Sequence, residues 1–159
     1  MLRVNSIESK NMNDQTFGPL PGDDSVTEYI SKHRNPNLPA LDISAPLDLF
    51  PSLPLPPGIT PRFTWADNWP FSERAGVYFV YSESFDLLYI GKSSNNQCLG
   101  KRLYCWFGGG DTCVPVGTWS QPPRFVVTIA VPDESPFEAP SLEEYLVRKL
   151  QPPDNTHGK

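Results

Sequence analysis

The sequence contains little of the two residue types that most often bind zinc. It has two histidines and three cysteines in 159 residues. Cys98, Cys105 and Cys113 are odd in number and lack CxxC spacing, and His33 and His157 lie far from them in sequence. We therefore expect no structural zinc site, and this cysteine usage favours a reducing compartment.

Long apolar segments are also missing. No run approaches the roughly 18 to 20 apolar residues that a membrane span needs. The first thirty residues lack the basic, apolar and small-residue order of a signal peptide. We therefore expect a cytoplasmic protein with no membrane partner, and the length favours one domain with a modest core.

Positive charge is scarce. The sequence contains 13 Lys and Arg and 18 Asp and Glu, which gives a formal net charge of −5 at pH 7. Nucleic-acid binding gains affinity from Lys and Arg that displace counterions from phosphates. Any basic surface for such a partner must therefore be local. Phosphate-binding loops of the Walker type, Rossmann glycine patterns and a catalytic Ser/His pairing are absent from the sequence.

Proline divides the chain at about residue 70. Residues 1–70 hold eleven of the nineteen prolines and show no sustained period of 2 or 3.6. They predict a partly extended arm with one short helix from Asp24 to His33, capped by Asp23 or Asp24. Its apolar residues predict that the arm packs on its own domain or on a second subunit: Leu47, Leu49, Phe50, Leu53 and Leu55.

Within residues 71–159, which the sequence predicts to be the second unit, the segment AGVYFVYSESFDLLYIGKS from Ala75 to Ser93 predicts a β-hairpin. A turn centred on Glu83–Ser84 places Tyr78 opposite Tyr89 and Gly76 opposite Gly91. Period-2 alternation leaves the two tyrosines on an available face and puts an apolar set on the core face. That core set is Val77, Phe79, Leu88 and Ile90, with Val77 paired to Ile90.

Three further elements follow the hairpin. Helical spacing of apolar residues predicts a helix from about Asn96 to Phe107. RFVVTIAVP predicts a third strand, Arg124–Val131, and a helix is predicted for Pro140–Leu150, with Ser141 and Glu144 as a capping box. The predicted fold is α+β, a small three-stranded antiparallel sheet flanked by helices.

Glu143 lies within the apolar stripe of the last helix, whereas Glu144 points outward and can pair with Arg148. A carboxylate on an apolar stripe costs several kcal/mol unless it meets a strong donor, an arginine or a metal ion. Two interpretations stay open: a structural ion pair with Arg102 or Arg124, and a ligand role.

Five short motifs then occur in order. They are Gly76-Val77-Tyr78, Tyr89-Ile90-Gly91-Lys92 after ten residues, Leu99-Gly100-Lys101-Arg102-Leu103, Glu143 with Leu146, and Pro152 with Asn155. Together they resemble the GIY-YIG nuclease pattern over about 80 residues. The resemblance implies that two tyrosines, an arginine and a glutamate converge on one concave surface.

The resemblance implies four catalytic residues. Glu143 would bind one divalent metal, Mg²⁺ with Mn²⁺ as the alternative. Arg102 would hold a non-bridging phosphate oxygen. Tyr78 and Tyr89 would orient the attacking water, one of them as general base. The residues alone leave open which tyrosine acts, and each could instead be a packed strand aromatic.

The resemblance also implies supporting residues. Lys92 and Lys101 would contact flanking phosphates, Gly76 and Gly91 would lie beside the tyrosines, and Asn155 would support the site through hydrogen bonds. Several members of the family carry His or Tyr where this chain has Trp106. A tryptophan cannot accept a proton, so either the tyrosines suffice, or activity is reduced, or Trp106 stacks on a nucleotide.

The functional expectation is a metal-dependent endonuclease that hydrolyses phosphodiester bonds of double-stranded DNA. Two alternatives remain open: an RNA-directed or interference nuclease of a defence or toxin system, and a catalytically weak or inactive module that binds nucleic acid or protein. Because the chain is acidic, we expect weak affinity by the isolated chain, a homodimer, or a partner protein that supplies specificity.

Overall fold

The chain folds into an α+β structure. The computed structural model describes residues 19–58, 63–65 and 68–156. Its elements are α1 (Asp23–Lys32), β1 (Asp42–Ile43), β2 (Leu47–Asp48), β3 (Phe63–Thr64), β4 (Gly76–Ser82), β5 (Leu87–Ser93), α2 (Leu99–Phe107), β6 (Pro123–Ala130) and α3 (Glu138–Leu150). Within these ranges, no helix has the length and apolar character needed to cross a membrane.

One sheet organises the described residues. β4 lies between β5 and β6, antiparallel to both, and β1 and β2 pair antiparallel with β6. β3 pairs with β2 in parallel, and β5 forms one end of the strand order β3-β2-β6-β4-β5. The three predicted strands are the three long strands of this six-stranded sheet. The prediction missed the three two-residue strands, which lie in the proline-rich segment.

The predicted hairpin register was wrong by two residues. Tyr78 lies opposite Gly91, not Tyr89; Gly76 pairs with Ser93, and Val77 with Lys92. The turn is longer than predicted: the Ser82 N–H donates to the carbonyl of Asp86 at 3.0 Å, and Phe85 has a φ of 62°. A phenylalanine in the left-handed region carries no turn signal in sequence.

A slip of two residues preserves which side chains share a face. Val77, Phe79 and Ile90 accordingly pack on one face, against α1 and α3. The opposite face, which carries Tyr78, was expected to be available, but α2 and the segment around Leu47 cover it. Tyr78 is fully buried as a result.

Two helix starts differ from the predictions. α2 begins at Leu99 instead of Asn96, because Asn95 and Asn96 have φ angles of 57° and 65°, which are not helical. α3 begins at Glu138, so Ser141 lies inside the helix. The predicted capping box is therefore wrong, and the Ser141 hydroxyl instead accepts a hydrogen bond from the Tyr29 hydroxyl.

The described part of residues 1–70 packs on the rest of its own chain. α1 contacts α3, and Leu47 and Leu49 are buried beneath the sheet. Asp23 does not cap α1, since its carboxylate accepts from the backbone N–H of Leu20 at 2.7 Å. Leu53 and Leu55 remain exposed.

A buried ion pair anchors this segment. Arg124 of β6 donates two hydrogen bonds to Asp48 of β2, at 2.7 and 2.9 Å, and both side chains are at most 3% exposed. Removing one partner of such a pair leaves an uncompensated charge in the interior. The pair therefore makes the integrity of the sheet depend on the proline-rich segment.

We expect Asp48→Ala to lower the free energy of unfolding by about 3 to 5 kcal/mol, because Arg124 would stay buried without its carboxylate. Urea denaturation measures the change. Glu144→Ala serves as the control, since the exposed Glu144–Arg148 pair, at 3.8 Å, contributes at most about 1 kcal/mol. Equal effects of the two variants would contradict the anchoring role of Asp48.

Candidate active site

A cavity of about 280 Å³ lies beside β5 and contains three of the predicted site residues. Lys92 comes from the end of β5, Arg102 from α2 and Glu143 from α3. The two helices pack against opposite faces of the sheet. Side chains from both faces can meet here because β5 is an end strand within the described sheet. Ser94, Asn95 and Gln97 complete the lining.

Glu143 is partly buried, with 20% of its side chain exposed, and it accepts a hydrogen bond from the Lys92 ammonium at 2.6 Å. If Glu143 formed a structural ion pair, its expected partner was Arg102 or Arg124. Arg124 instead binds Asp48, and the partner of Glu143 is Lys92. The lysine predicted to contact phosphate therefore neutralises the predicted metal ligand in this structure.

Arg102 lies on the first turn of α2, and its guanidinium carbon is 5.8 Å from the centroid of the Trp106 ring. Burial lowers the pKa of Arg102, but the neighbouring Tyr78 and Tyr89 hydroxyls outweigh this and raise it above its ordinary value. Arg102 therefore keeps its positive charge beside the cavity at every physiological pH.

The two tyrosines are neighbours without being directly paired, with ring centroids 6.1 Å apart. Burial, and then the proximity of Tyr89, raise the pKa of Tyr78 far above its usual range, while Arg102 and Trp106 partly offset the rise. Tyr89 is half-buried. The two phenols thus have different environments, and only that of Tyr89 reaches solvent.

An aromatic group next to Tyr89 includes one residue that the sequence did not suggest. Trp106 and Trp119 have ring centroids 5.6 Å apart, and they lie 5.6 and 6.1 Å from the Tyr89 ring. Trp119 also stacks on Phe107 at 6.0 Å. It follows an irregular segment without periodicity, so no sequence signal placed it at the site.

Four buried polar atoms on the α2 side of the sheet have no partner in good hydrogen-bond geometry among the described residues, although the Tyr78 hydroxyl lies near enough to Arg102 and Trp106 for both to lower its pKa. They are the Tyr78 hydroxyl, the Ser93 hydroxyl, the Arg102 Nε and the Trp106 indole N–H. Each of these groups can donate a hydrogen bond. Buried donors without partners are costly in a folded protein, so their grouping fits a site that receives an anionic or polar ligand.

Glycine is required at both predicted positions. A Cβ at Gly91 would lie 2.4 Å from the Tyr78 ring and hydroxyl, and 2.7 Å from the Tyr89 ring. A Cβ at Gly76 would lie 2.1 Å from the carbonyl oxygen of Ile129. Gly91 therefore makes room for both tyrosines, and Gly76 permits close approach of β4 to β6.

Asn155 holds the backbone of β5 between Tyr89 and Gly91. Its side-chain oxygen accepts from the N–H of Ile90 at 2.9 Å, and its amide nitrogen donates to the carbonyl of Ile90 at 2.8 Å. The side chain is buried. These two bonds fix the end strand on which Tyr89 and Lys92 lie.

The structure thus groups most of the predicted residues but not all. Lys92, Arg102 and Glu143 line one cavity, and Tyr78, Tyr89 and Trp106 pack around Arg102. Lys101 is exposed and lines a different, neighbouring cavity.

Comparison of the chain with protein-family models, with curated proteins and with solved structures finds no match.

The site's fit to a metal ion depends on a single carboxylate. The residues that the structure describes contain no cluster of three or more His, Cys, Asp or Glu side chains suited to a metal. Mg²⁺ retains several waters and binds through one or two carboxylates together with substrate phosphate oxygens. Glu143, which lines the cavity with 20% of its side chain exposed, fits that mode.

Proposed function

We propose that this chain is a metal-dependent endonuclease of the GIY-YIG type, which hydrolyses phosphodiester bonds of nucleic acid, with DNA as the substrate. The observation that carries the proposal is the convergence of Lys92, Arg102 and Glu143 on one cavity, beside buried donors that lack partners. Because the net charge is −5, we further propose that a homodimer or a partner protein supplies affinity for duplex DNA.

Arg102 is suited to hold the scissile phosphate. Its guanidinium presents donors in a rigid fork that matches two phosphate oxygens. The pairing would strengthen as negative charge grows on those oxygens in the transition state. The guanidinium carbon lies 5.8 Å from the centroid of the Trp106 ring, and this cation–π contact would help to position the fork before the substrate arrives.

Glu143 would hold the divalent ion, Mg²⁺ or Mn²⁺. A bound ion of this kind neutralises phosphate charge and stabilises the leaving oxygen. Lys92 must release the Glu143 carboxylate when that ion binds, and its ammonium then lies free at the cavity wall. The lysine can next contact a phosphate oxygen, so both roles predicted for these residues are compatible.

Tyr89 is the better placed tyrosine to orient and deprotonate the attacking water. Tyr78 is fully buried and its pKa is raised, so it stays protonated and acts as a hydrogen-bond donor. Tyr89 would first lose its phenolic proton to solvent; the water oxygen then forms the new bond to phosphorus, the water proton passes to the Tyr89 phenolate, and the P–O3′ bond breaks. The products are a 5′-phosphate and a 3′-hydroxyl, whose oxygen takes up a proton from water.

A second candidate function is supported by two particular observations. Lys92 already neutralises Glu143, and Trp106 occupies a position where related nucleases carry a residue that can accept a proton. A module with this fold that binds nucleic acid or protein without cleaving it would have the same features.

Incubation with supercoiled plasmid, single-stranded DNA and RNA in Mg²⁺, Mn²⁺ or EDTA separates the two functions. We expect cleavage that requires metal and falls below detection in Glu143→Gln. Glu144→Gln is the matched control, because the adjacent carboxylate is exposed and pairs with Arg148. Binding without cleavage of any substrate would establish the binding module instead.

Lys92→Met should tighten the binding of Mg²⁺ to the free protein about five-fold, because it removes the ammonium that competes with the metal for Glu143. The size of the effect follows from the ion pair, which is partly exposed and contributes up to about 1 kcal/mol. Calorimetric titration without nucleic acid measures this. Lys149→Met, which removes a lysine paired with Glu28, is the control. Unchanged or weaker Mg²⁺ binding in Lys92→Met would show that the lysine does not compete with metal.

A further inference from the structure

Two positive charges in the described part of the chain have no carboxylate within ion-pair distance. They are Lys101 and Arg102, which are adjacent on α2. The other seven described Lys and Arg residues all form ion pairs: Lys32, Arg34, Arg74, Lys92, Arg124, Arg148 and Lys149. Within residues 19–58, 63–65 and 68–156, the positive charge without a carboxylate partner is thus concentrated at one place on α2.

The two free cations line neighbouring cavities. Arg102 lines the cavity that contains Glu143. Lys101 lines a second cavity of about 610 Å³, which shares Asn95 and Gln97 with the first. A strand whose phosphate is bound by Arg102 can therefore continue across the shared amides toward Lys101.

The second cavity offers the chemistry of a nucleotide site. The side chain of Phe137, immediately before α3, is 70% exposed at its wall. Asn95, Asn96 and Gln97 add amides that can hydrogen-bond base edges. Glu73 also lines the cavity, and its carboxylate partly offsets the charge of Lys101. The cavity is therefore suited to bind one phosphate and one base, and not a series of phosphates.

We propose that this second cavity binds the nucleotide next to the scissile phosphate, with its phosphate on Lys101 and its base stacked on Phe137. The inference rests on the proposed function and adds a substrate class to it. A base can stack on a side chain only when it has left its own stack. The preferred substrate therefore has an unpaired nucleotide beside the cut, as in a single strand or a flap.

Fluorescence anisotropy in EDTA tests this with the whole chain, so that binding is measured without cleavage. The probes are a labelled single-stranded DNA and a blunt duplex of the same sequence. We expect Phe137→Ala to weaken single-strand binding about ten-fold, within the range for loss of one base–aromatic stack, and to leave duplex binding unchanged. Val114→Ala, at another exposed apolar residue, is the control.

Lys101→Met provides a second, independent readout. Loss of one phosphate contact should lower the slope of log affinity against log salt concentration by about 1. Arg148→Gln, which removes an exposed but paired cation, should leave that slope unchanged.

The proposal is overturned if Phe137→Ala binds the single strand as tightly as Val114→Ala does, or if it weakens duplex binding equally. An unchanged salt slope in Lys101→Met would also overturn it. These failures are distinct from failure of the nuclease function, because metal-dependent cleavage that is lost in Glu143→Gln would still stand.

Discussion

Arg102→Lys is expected to lower the rate of cleavage about 10²- to 10³-fold although the positive charge is retained. Removal of one preoriented donor from a transition state typically has an effect of this size. A lysine places a single point charge where the guanidinium presents a planar fork that can match two phosphate oxygens. The lower cleavage rate of Arg102→Lys therefore measures the contribution of the guanidinium geometry, because the net charge is unchanged.

Single-turnover cleavage at saturating DNA isolates this effect, because it separates the chemical step from binding. Arg148→Lys is the matched control, since Arg148 is exposed and pairs only with Glu144. Thermal melting of each variant establishes that it is folded. Cleavage by Arg102→Lys within about three-fold of the parent rate would show that Arg102 contributes charge alone, contrary to a bidentate phosphate contact.

The long elements were predictable from local sequence signals. β4 and β6 were recognisable as runs of β-branched and aromatic residues, and a register error of two residues left Val77, Phe79 and Ile90 on the predicted face. α3 was expected from the proline in its first turn and the two prolines beyond its end, and its apolar stripe then singled out Glu143. Periodicity thus brought the proposed ligand to notice before any geometry was known.

The short strands were not predictable, because two residues cannot display a period of two. β1, β2 and β3 occur in a proline-rich segment that indicated only extended backbone. Their place in the sheet depends on tertiary contacts such as the ion pair between Asp48 and Arg124. Neither residue stood out as a partner of the other, because they are 76 positions apart in sequence.

The composition of the candidate site was only partly predictable for a similar reason. Motif spacing named Arg102 and Glu143, but the Lys92–Glu143 contact forms only where α3 packs beside the end of β5. Trp119 reaches Tyr89 from an irregular segment. Contacts between distant segments depend on packing, and sequence spacing carries no information about them.

The environments of the two tyrosines bear on which of them would act as the proposed general base. The pKa of Tyr78 is raised in the fold, so Tyr78 is neutral there and its stabilising effect is complete below the unfolded pKa of about 10. That effect is lost only as pH rises from about 10 through the higher folded pKa. Tyr78 therefore adds no pH dependence to stability near neutral pH, and it is not available as a base.

Tyr89→Phe should accordingly lower the cleavage rate by about 10²- to 10⁴-fold, the usual contribution of a general base, whereas Tyr78→Phe should cost about ten-fold or less. Tyr78→Phe should also leave stability nearly unchanged, since its buried hydroxyl has no partner among the described residues. Single-turnover cleavage rates of the two variants at one pH near neutrality test the assignment. The larger loss should fall on Tyr89→Phe; the opposite pattern would make Tyr78 the base despite its burial.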